Sequence, residues 1–248
     1  MDDLAIADWL LLALGAAGIG VSKSGLAGVG LVHVLIFAFV FGARASTGIL
    51  LPLLLIGDVC AVSLLGRDVR WATVRRLMPP AVGGVVLGWL LLERLDETAF
   101  RPLIGGIILL LAAGQLVRLW RPQWLADVPH SSGFAILMGG LTGVTTMLAN
   151  AAGPIVALYL LAVSLPKERL VATSAWFFLL LNALKVPFSV NLGLIDPATI
   201  ALDLVLAPAV LAGLLCGRWI VRRLPQRTFD TLLLVFSAVA ALRLMGVP

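Results

Sequence analysis

Charge is what this chain has least of. Of its 248 residues only 12% are Asp, Glu, Lys or Arg and 61% are apolar, whereas soluble domains carry roughly 25% charged residues. That leaves too little polar surface to cover a water-soluble fold, and a mean hydropathy of +1.09 makes lipid the natural solvent. A cytosolic enzyme, a nucleic-acid binder and a disordered chain are thereby excluded. The net charge of +5 reports where the loops lie, not an affinity for DNA. Cysteine is nearly absent too. Cys60 and Cys216 stand far apart in apolar runs with no C-x-x-C. A disulfide scaffold or a metal site has nothing to build on, and both read as small buried hydrophobes. No cofactor is expected. The phosphate-loop pattern G-x-x-x-x-G-K-[ST] is missing, which leaves primary pumping unsupported. Met1-Asp2-Asp3 lacks the basic stretch of a signal peptide, and no A-x-A cleavage site directly follows the first apolar run. That run is therefore expected to stay in the mature protein.

What is present is a series of ten apolar segments, approximately 5–20, 26–42, 45–66, 73–92, 101–118, 133–148, 152–165, 170–190, 198–221 and 228–245. Leu, Val, Ile, Ala and Gly without period-2 alternation read as helices, not barrel strands. The fold class expected is an all-α polytopic membrane protein. Between Ser131 and Pro166 there is no Asp, Glu, Lys or Arg. As one helix this stretch would be about 54 Å long, nearly twice the hydrocarbon thickness, so it must fold back, and Asn150-Ala-Ala-Gly153-Pro154 is the place for the break. Near the start, two short segments flank Ser22-Lys23-Ser24-Gly25 in the same way, with Gly28 and Gly30 following. Broken or re-entrant helical hairpins are expected at both places.

Laying one half on the other gives an internal repeat with a spacing of about 125 residues early and about 129 later. Gly18 matches Gly143, Gly25 matches Asn150 and Gly28 matches Gly153. Ala45-Ser46-Thr47 runs beside Ala172-Thr173-Ser174, Pro80 falls near Pro208, Gly84 and Gly88 match Gly213 and Gly217, and Phe100 matches Phe229. Residues 1–124 and 125–248 are thus read as two repeats of about five segments each. Basic residues orient them, since cytoplasmic loops are the basic ones. Arg67, Arg70, Arg75 and Arg76 fill a first-half loop whose counterpart, Asn191 to Pro197, has no basic residue and contains Asp196. Conversely Lys167, Arg169, Arg222, Arg223 and Arg227 fill second-half loops. With the 67–76 loop inside, both termini lie outside and the repeats are inverted, a layout common among secondary transporters.

Two features break the rule that membrane interiors avoid polarity. The first is the pair of turns: Ser22, Lys23, Ser24, Gly25 and Gly28 in one half, Thr145, Thr146, Asn150, Gly153 and Pro154 in the other. Irregular backbone at membrane depth is tolerated only where protein or water meets it. A helix starting after each turn aims its unpaired N–H groups and positive dipole end at the turn. Glycine lets an anion come close, and Ser, Thr and Asn add hydrogen bonds. Either the two turns converge on a small anion near the midplane, or their glycines serve close helix packing.

The second feature is a set of intramembrane charges, Lys23, Asp58, Lys185 and Asp203, each costing at least about 2.5 kcal/mol at the bilayer centre. Lys23 and Lys185 are candidates to face a bound anion; Lys23 could alternatively snorkel. Asp58 and Lys185 fall at nearly equivalent repeat positions with opposite signs, and a direct Asp58–Lys185 pair is expected in the empty protein, as a coupling device or a static ion pair. Asp203 is either a further intramembrane charge or an interfacial residue. Asn182 shares the Lys185 helix face and serves a ligand or an interhelical hydrogen bond. Trp176, beside Thr173, is a substrate wall or core packing. His33 is a packed histidine or a proton relay, and His130 is expected to be solvated. Trp9, Trp71, Trp120 and Trp124 sit near segment ends, as interface anchors do, and Arg218 with Arg222 and Arg223 is expected at the inner boundary.

Ser22-Lys23-Ser24-Gly25, Asn150-Ala-Ala-Gly153-Pro154, Tyr159-Leu-Leu, Thr173 and Asn182-x-x-Lys185-x-Pro187 together resemble the TauE/SafE family, also called the toluene-sulfonate uptake permeases, over nearly the whole chain. The resemblance implies a bacterial inner-membrane transporter moving sulfite, sulfonates or related small sulfur-containing anions. The inverted layout leads to the expectation of a secondary transporter, not an enzyme, with H+ or Na+ as coupling ion. Two other readings compete with it. One is an anion channel. The other is an intramembrane serine hydrolase using Ser22 or Ser24 with His33, which needs a base within hydrogen-bond reach of the nucleophile.

Overall fold

Each apolar segment closes into a helix at the turn residues that bound it. The computed structural model describes residues 4–25, 29–120, 131–163 and 165–221. Within them lie α1 (Ile6–Lys23), α2 (Gly30–Phe41), α3 (Ala43–Leu65), α4 (Trp71–Arg94), α5 (Glu97–Trp120), α6 (Ser132–Ala149), α7 (Gly153–Ala162), α8 (Lys167–Asn191) and α9 (Pro197–Val221), with no strand. They correspond to the first nine segments of the sequence. The tenth, 228–245, and Gly28, Trp124, His130, Arg222, Arg223, Arg227 and Phe229 lie outside the described residues.

Local chemistry sets the helix ends. Gly25, Gly42 and Gly193 take positive φ after α1, α2 and α8, a conformation that costs glycine little. Asn150 does the same after α6, at φ 53°, and asparagine is among the few other residues that visit this region. At the starts, the Ser131 hydroxyl accepts from the Phe134 amide, and the Asp196 carboxylate accepts from the Thr199 amide. Asp96 caps α5 in the same manner. The Ala99 amide, then the Thr98 hydroxyl, hold its carboxyl below the usual aspartate value.

Six of these helices, α1, α3, α4, α6, α8 and α9, are long and apolar enough to cross a bilayer. α2 and α7 have only 12 and 10 residues. At about 18 and 15 Å they reach roughly half of a 30 Å hydrocarbon layer. These are the short arms of the two broken hairpins. The outer surface is apolar: Ile6, Leu10 and Leu14 line the outside of α1, Leu204, Leu211 and Leu215 that of α9, and Ile6 is 82% exposed. A set of polar side chains, among them Thr47, Asp58, Thr146, Asn150, Asn182 and Lys185, is by contrast buried in the interior. This is the architecture of a polytopic membrane protein.

Glycines decide which helices lie together. A Cβ on Gly20 would strike the backbone of Val210 and Leu214 on α9, and one on Gly213 would strike Ala17 on α1. In the other half, a Cβ on Gly143 would strike Ala81 and Val85 on α4, and one on Gly84 would strike Gly140 on α6. Gly217, against Val21 and Ser24, repeats Gly88, against Val144 and Met147. The α1–α9 and α4–α6 pairs are therefore the same contact made twice, each parallel and each close enough to exclude a methyl group. Gly20 and Gly143 make these close contacts, whereas a Cβ on Gly18 would meet only side chains, at 3.7 Å and beyond.

α3 and α8 cross at the centre. Gly48 lies against Leu194, Asn182 bonds Asp58, and Trp176 bonds the Gly66 carbonyl. The order of these contacts makes the two helices antiparallel, with the Asp58–Asn182 contact midway along the crossing.

Candidate functional site

At that crossing lies a polar network inside the apolar bundle. Lys23 ends α1 and reaches Asp58 on α3, with 2.5 Å between Nζ and Oδ1. Asp58 is 0% exposed. Its other oxygen accepts from the Asn182 amide at 2.7 Å. Lys185, 2% exposed, donates to Asn150 Oδ1 at 2.5 Å, to the Thr146 carbonyl at 2.8 Å, to Thr146 Oγ1 at 3.1 Å and to Asn182 Oδ1 at 3.4 Å. The Asn150 amide nitrogen donates in turn to the Thr47 carbonyl at 2.8 Å. Each asparagine thus gives its nitrogen to one side and its oxygen to Lys185, which fixes its orientation.

The expected Asp58–Lys185 pair is therefore corrected. Asp58 is taken by Lys23, and Lys185 faces only neutral oxygens. The reason is reach: α1 stops at Ser24, so its terminal lysine ends beside α3, while Lys185 is drawn to the turn between α6 and α7. Lys23 does not snorkel, since its ammonium is committed to a buried carboxylate and lies 4.9 Å from the centre of the Phe178 ring. Three of the oxygens around Lys185, those of the Thr146 carbonyl and the two amides, act here only as acceptors, matching the three hydrogens of an ammonium. With Lys23 and Asp58 paired, Lys185 is the member of the network that has no counter-ion among the described residues.

A cavity of ≈ 760 Å³, its open mouth included, adjoins the network. Both turns contribute to it. Ser22, Lys23 and Gly25 line it from the first, and Thr146, Asn150 and Gly153 from the second, with Asn182 behind them. α7 begins at Gly153 with Pro154 in its first turn, where a missing N–H costs nothing, and this helix start faces the cavity through Gly153. The structure thus brings seven of the sequence-nominated residues to one space.

The other nominees stand elsewhere. Ser24 is buried and spends its hydroxyl on the Val21 carbonyl, and Thr145 spends its own on Leu141. Lys185 and Pro154 lie behind the cavity wall. Thr173 and Trp176 pack against the loop after α3: Thr173 Oγ1 accepts from the Arg70 amide, Trp176 Nε1 donates to the Gly66 carbonyl, and the Trp176 ring sits 5.2 Å from that of Trp71. Trp176 is half-buried against that loop and does not line the cavity. Asp203 is buried in the protein and does not line the cavity. Neither nitrogen of His33 has a hydrogen-bond partner among the described residues, so the serine–histidine contact of a hydrolase is not made.

Phe178 and Ser174 were missed. They line the cavity from α8, one and two helical turns before Asn182, and that i−4 and i−8 spacing was available in the sequence.

A family model for the sulfite exporter TauE/SafE matches residues 11–244. The chain belongs to that family. It is a transporter family, so this TauE/SafE chain is an integral membrane protein of small-anion transport type. No curated protein and no solved structure matches the chain at a significant level. The TauE/SafE match spans both helical hairpins and the α3–α8 crossing, so network and cavity both fall inside the family region.

Proposed function

We propose that this TauE/SafE protein is a secondary transporter carrying sulfite, sulfonates or related small sulfur-containing anions across the bacterial inner membrane, coupled to H+ or Na+. The observation that carries this reading is the Lys23–Asp58–Lys185 network, in which Lys185 meets only neutral oxygens among the described residues, beside a cavity that both turns line. A buried charge left without a counter-ion is costly, and an anion in the cavity would supply one. Lys23, Asn150, Asn182 and the start of α7 are the proposed contacts, with Lys185 acting from behind Asn150 and Thr146. In this reading, residues 1–124 and 125–248 form two inverted repeats. The duplicated glycine contacts and the antiparallel α3–α8 pair support that division. An axis relating inverted repeats lies in the membrane plane, which would put Asp58 and Lys185 at mid-depth. Transport would proceed by rocking of one helix group about that point.

The test is flux of labelled sulfite or a sulfonate into liposomes holding the purified protein, under imposed proton and sodium gradients. Saturable, gradient-driven uptake is expected, reduced at least about tenfold by Lys185→Met, the equivalent of 1.4 kcal/mol in site affinity. If no sulfur anion is carried or bound, while Lys23→Ala and Lys185→Ala behave as the parent protein does, the proposal fails. Linear, non-saturating flux would favour a channel instead.

The proposed orientation has its own check. In a protein freed of Cys60 and Cys216, a cysteine at exposed Asp196 should react with a membrane-impermeant thiol reagent on intact cells, and one at exposed Asp68 should not. Labelling in the opposite sense would invert the arrangement and move both termini to the cytoplasm.

A further inference from the structure

His33 is the exception among the polar groups of the cavity. It lies on the first turns of α2, lines the cavity beside Lys23, and is 2% exposed. The other buried polar side chains that line the cavity are all committed: Thr146 to Lys185, Asn150 to Thr47 and Lys185, Asn182 to Asp58 and Lys185. Both ring nitrogens of His33, by contrast, have no partner among the described residues. A buried polar group without a hydrogen bond costs on the order of 1–3 kcal/mol, and one that faces a cavity can recover this from whatever fills it.

Lys23 on α1 lines the cavity with His33 and pairs with Asp58 on α3; Lys185 on α8 lies beyond Asn182, and α6 and α7 contain no charged residue. With all three ionised, their sum is one positive charge, which matches a monovalent anion. It falls one short of a divalent oxyanion. A free imidazole changes its charge by a single proton near neutral pH, a bound anion beside it favours the charged form, and as imidazolium it offers two N–H donors in place of one donor and one lone pair.

We propose that His33 takes up one proton when a divalent oxyanion such as sulfite enters the cavity, and so supplies the second positive charge and two donors to the bound ion. The inference rests on the anion-transport reading above and adds the ionic form of the substrate and its coupling ion. In the empty cavity the ring is neutral. The proton arrives with the anion, leaves with it, and stays on a ring nitrogen in between. A divalent anion then crosses with one net negative charge, which a membrane potential negative inside drives outward, whereas a monovalent anion needs no proton from His33.

The test counts protons. Sulfite binding to the purified protein in detergent is measured by calorimetry in buffers of different ionisation enthalpy, beside the same titration of His33→Gln. The variant reports the protons exchanged by sulfite itself and by the rest of the protein. Near pH 7.5 the parent protein is expected to take up close to one proton more than the variant. Its affinity should also fall by up to about tenfold per pH unit relative to the variant's, the slope of one linked proton. Equal proton counts in the two proteins overturn the proposal. Should His33→Gln bind no sulfite, His33→Lys is the second variant: its fixed charge should restore binding without the extra proton, and failure to restore it overturns the role. Methanesulfonate, monovalent throughout this range, should bind the parent protein with no proton uptake assigned to His33. A parent protein that binds neither anion fails the transport reading itself.

Discussion

Asp58→Asn is expected to cost more stability than Asp58→Asn combined with Lys23→Gln. The carboxylate of Asp58 is wholly buried and meets Lys23 Nζ at 2.5 Å. Removing one member of a buried ion pair leaves the other as an unpaired charge in a medium that solvates it poorly, a loss of about 3–5 kcal/mol. Removing both charges restores neutrality and returns much of that loss. The pair joins the end of α1 to the middle of α3, so the loss also loosens the hairpin tip that lines the cavity. Thermal unfolding of the purified variants in one detergent checks the order: Asp58→Asn below the double variant, and the double variant below the parent. Losses that simply add would mean that Lys23 and Asp58 do not stabilise one another. The same cycle on Asp58 and Lys185 should show much weaker coupling, because those two meet only through Asn182.

Gly20→Ala and Gly143→Ala are expected to be severely destabilising, and Gly18→Ala and Gly83→Ala nearly silent. The added methyl at Gly20 has no side chain to push aside; it meets the main chain of α9 at Val210 and Leu214. Main chain in a helix cannot rotate away, so the two helices must separate along their length. That places the cost at or above the upper end of the about 1–3 kcal/mol typical of overpacking. Gly143 faces α4 in the same way. Around Gly83 a Cβ finds nothing within 4 Å, and around Gly18 it finds ordinary contacts at 3.7 Å and 3.8 Å. At these two positions alanine should be neutral, or gain up to about 1 kcal/mol in helix propensity. Yield and monodispersity after solubilisation, with the unfolding midpoint, distinguish the four variants. A Gly18→Ala protein as damaged as Gly20→Ala would mean that the α1–α9 contact is not the one described.

Much of this was legible in the residues. Low charge selected the solvent, apolar runs marked the helices, and the break at Asn150–Pro154 followed from an uncharged stretch too long for one membrane crossing. Polar residues at the two turns stood out because a membrane interior makes them expensive. Four of them, Ser22, Lys23, Thr146 and Asn150, do meet at one cavity. What the residues did not reveal was partnership. Lys23 and Lys185 carry the same charge, and nothing along the chain says which of them Asp58 will meet.

The sequence by itself therefore determined the class of the protein, its helices, its two breaks and the short set of buried polar groups, since these depend on transfer from water to lipid, which each residue undergoes singly. The tertiary structure alone decided that Lys23 takes Asp58 and leaves Lys185 to neutral oxygens. It also decided that Gly20 and not Gly18 lies against α9, that Trp176 packs on a loop, and that His33 lines a cavity with both nitrogens unpartnered among the described residues. Those outcomes depend on where helices cross and how far each side chain reaches, and a hydrogen bond or ion pair forms only over a few ångströms.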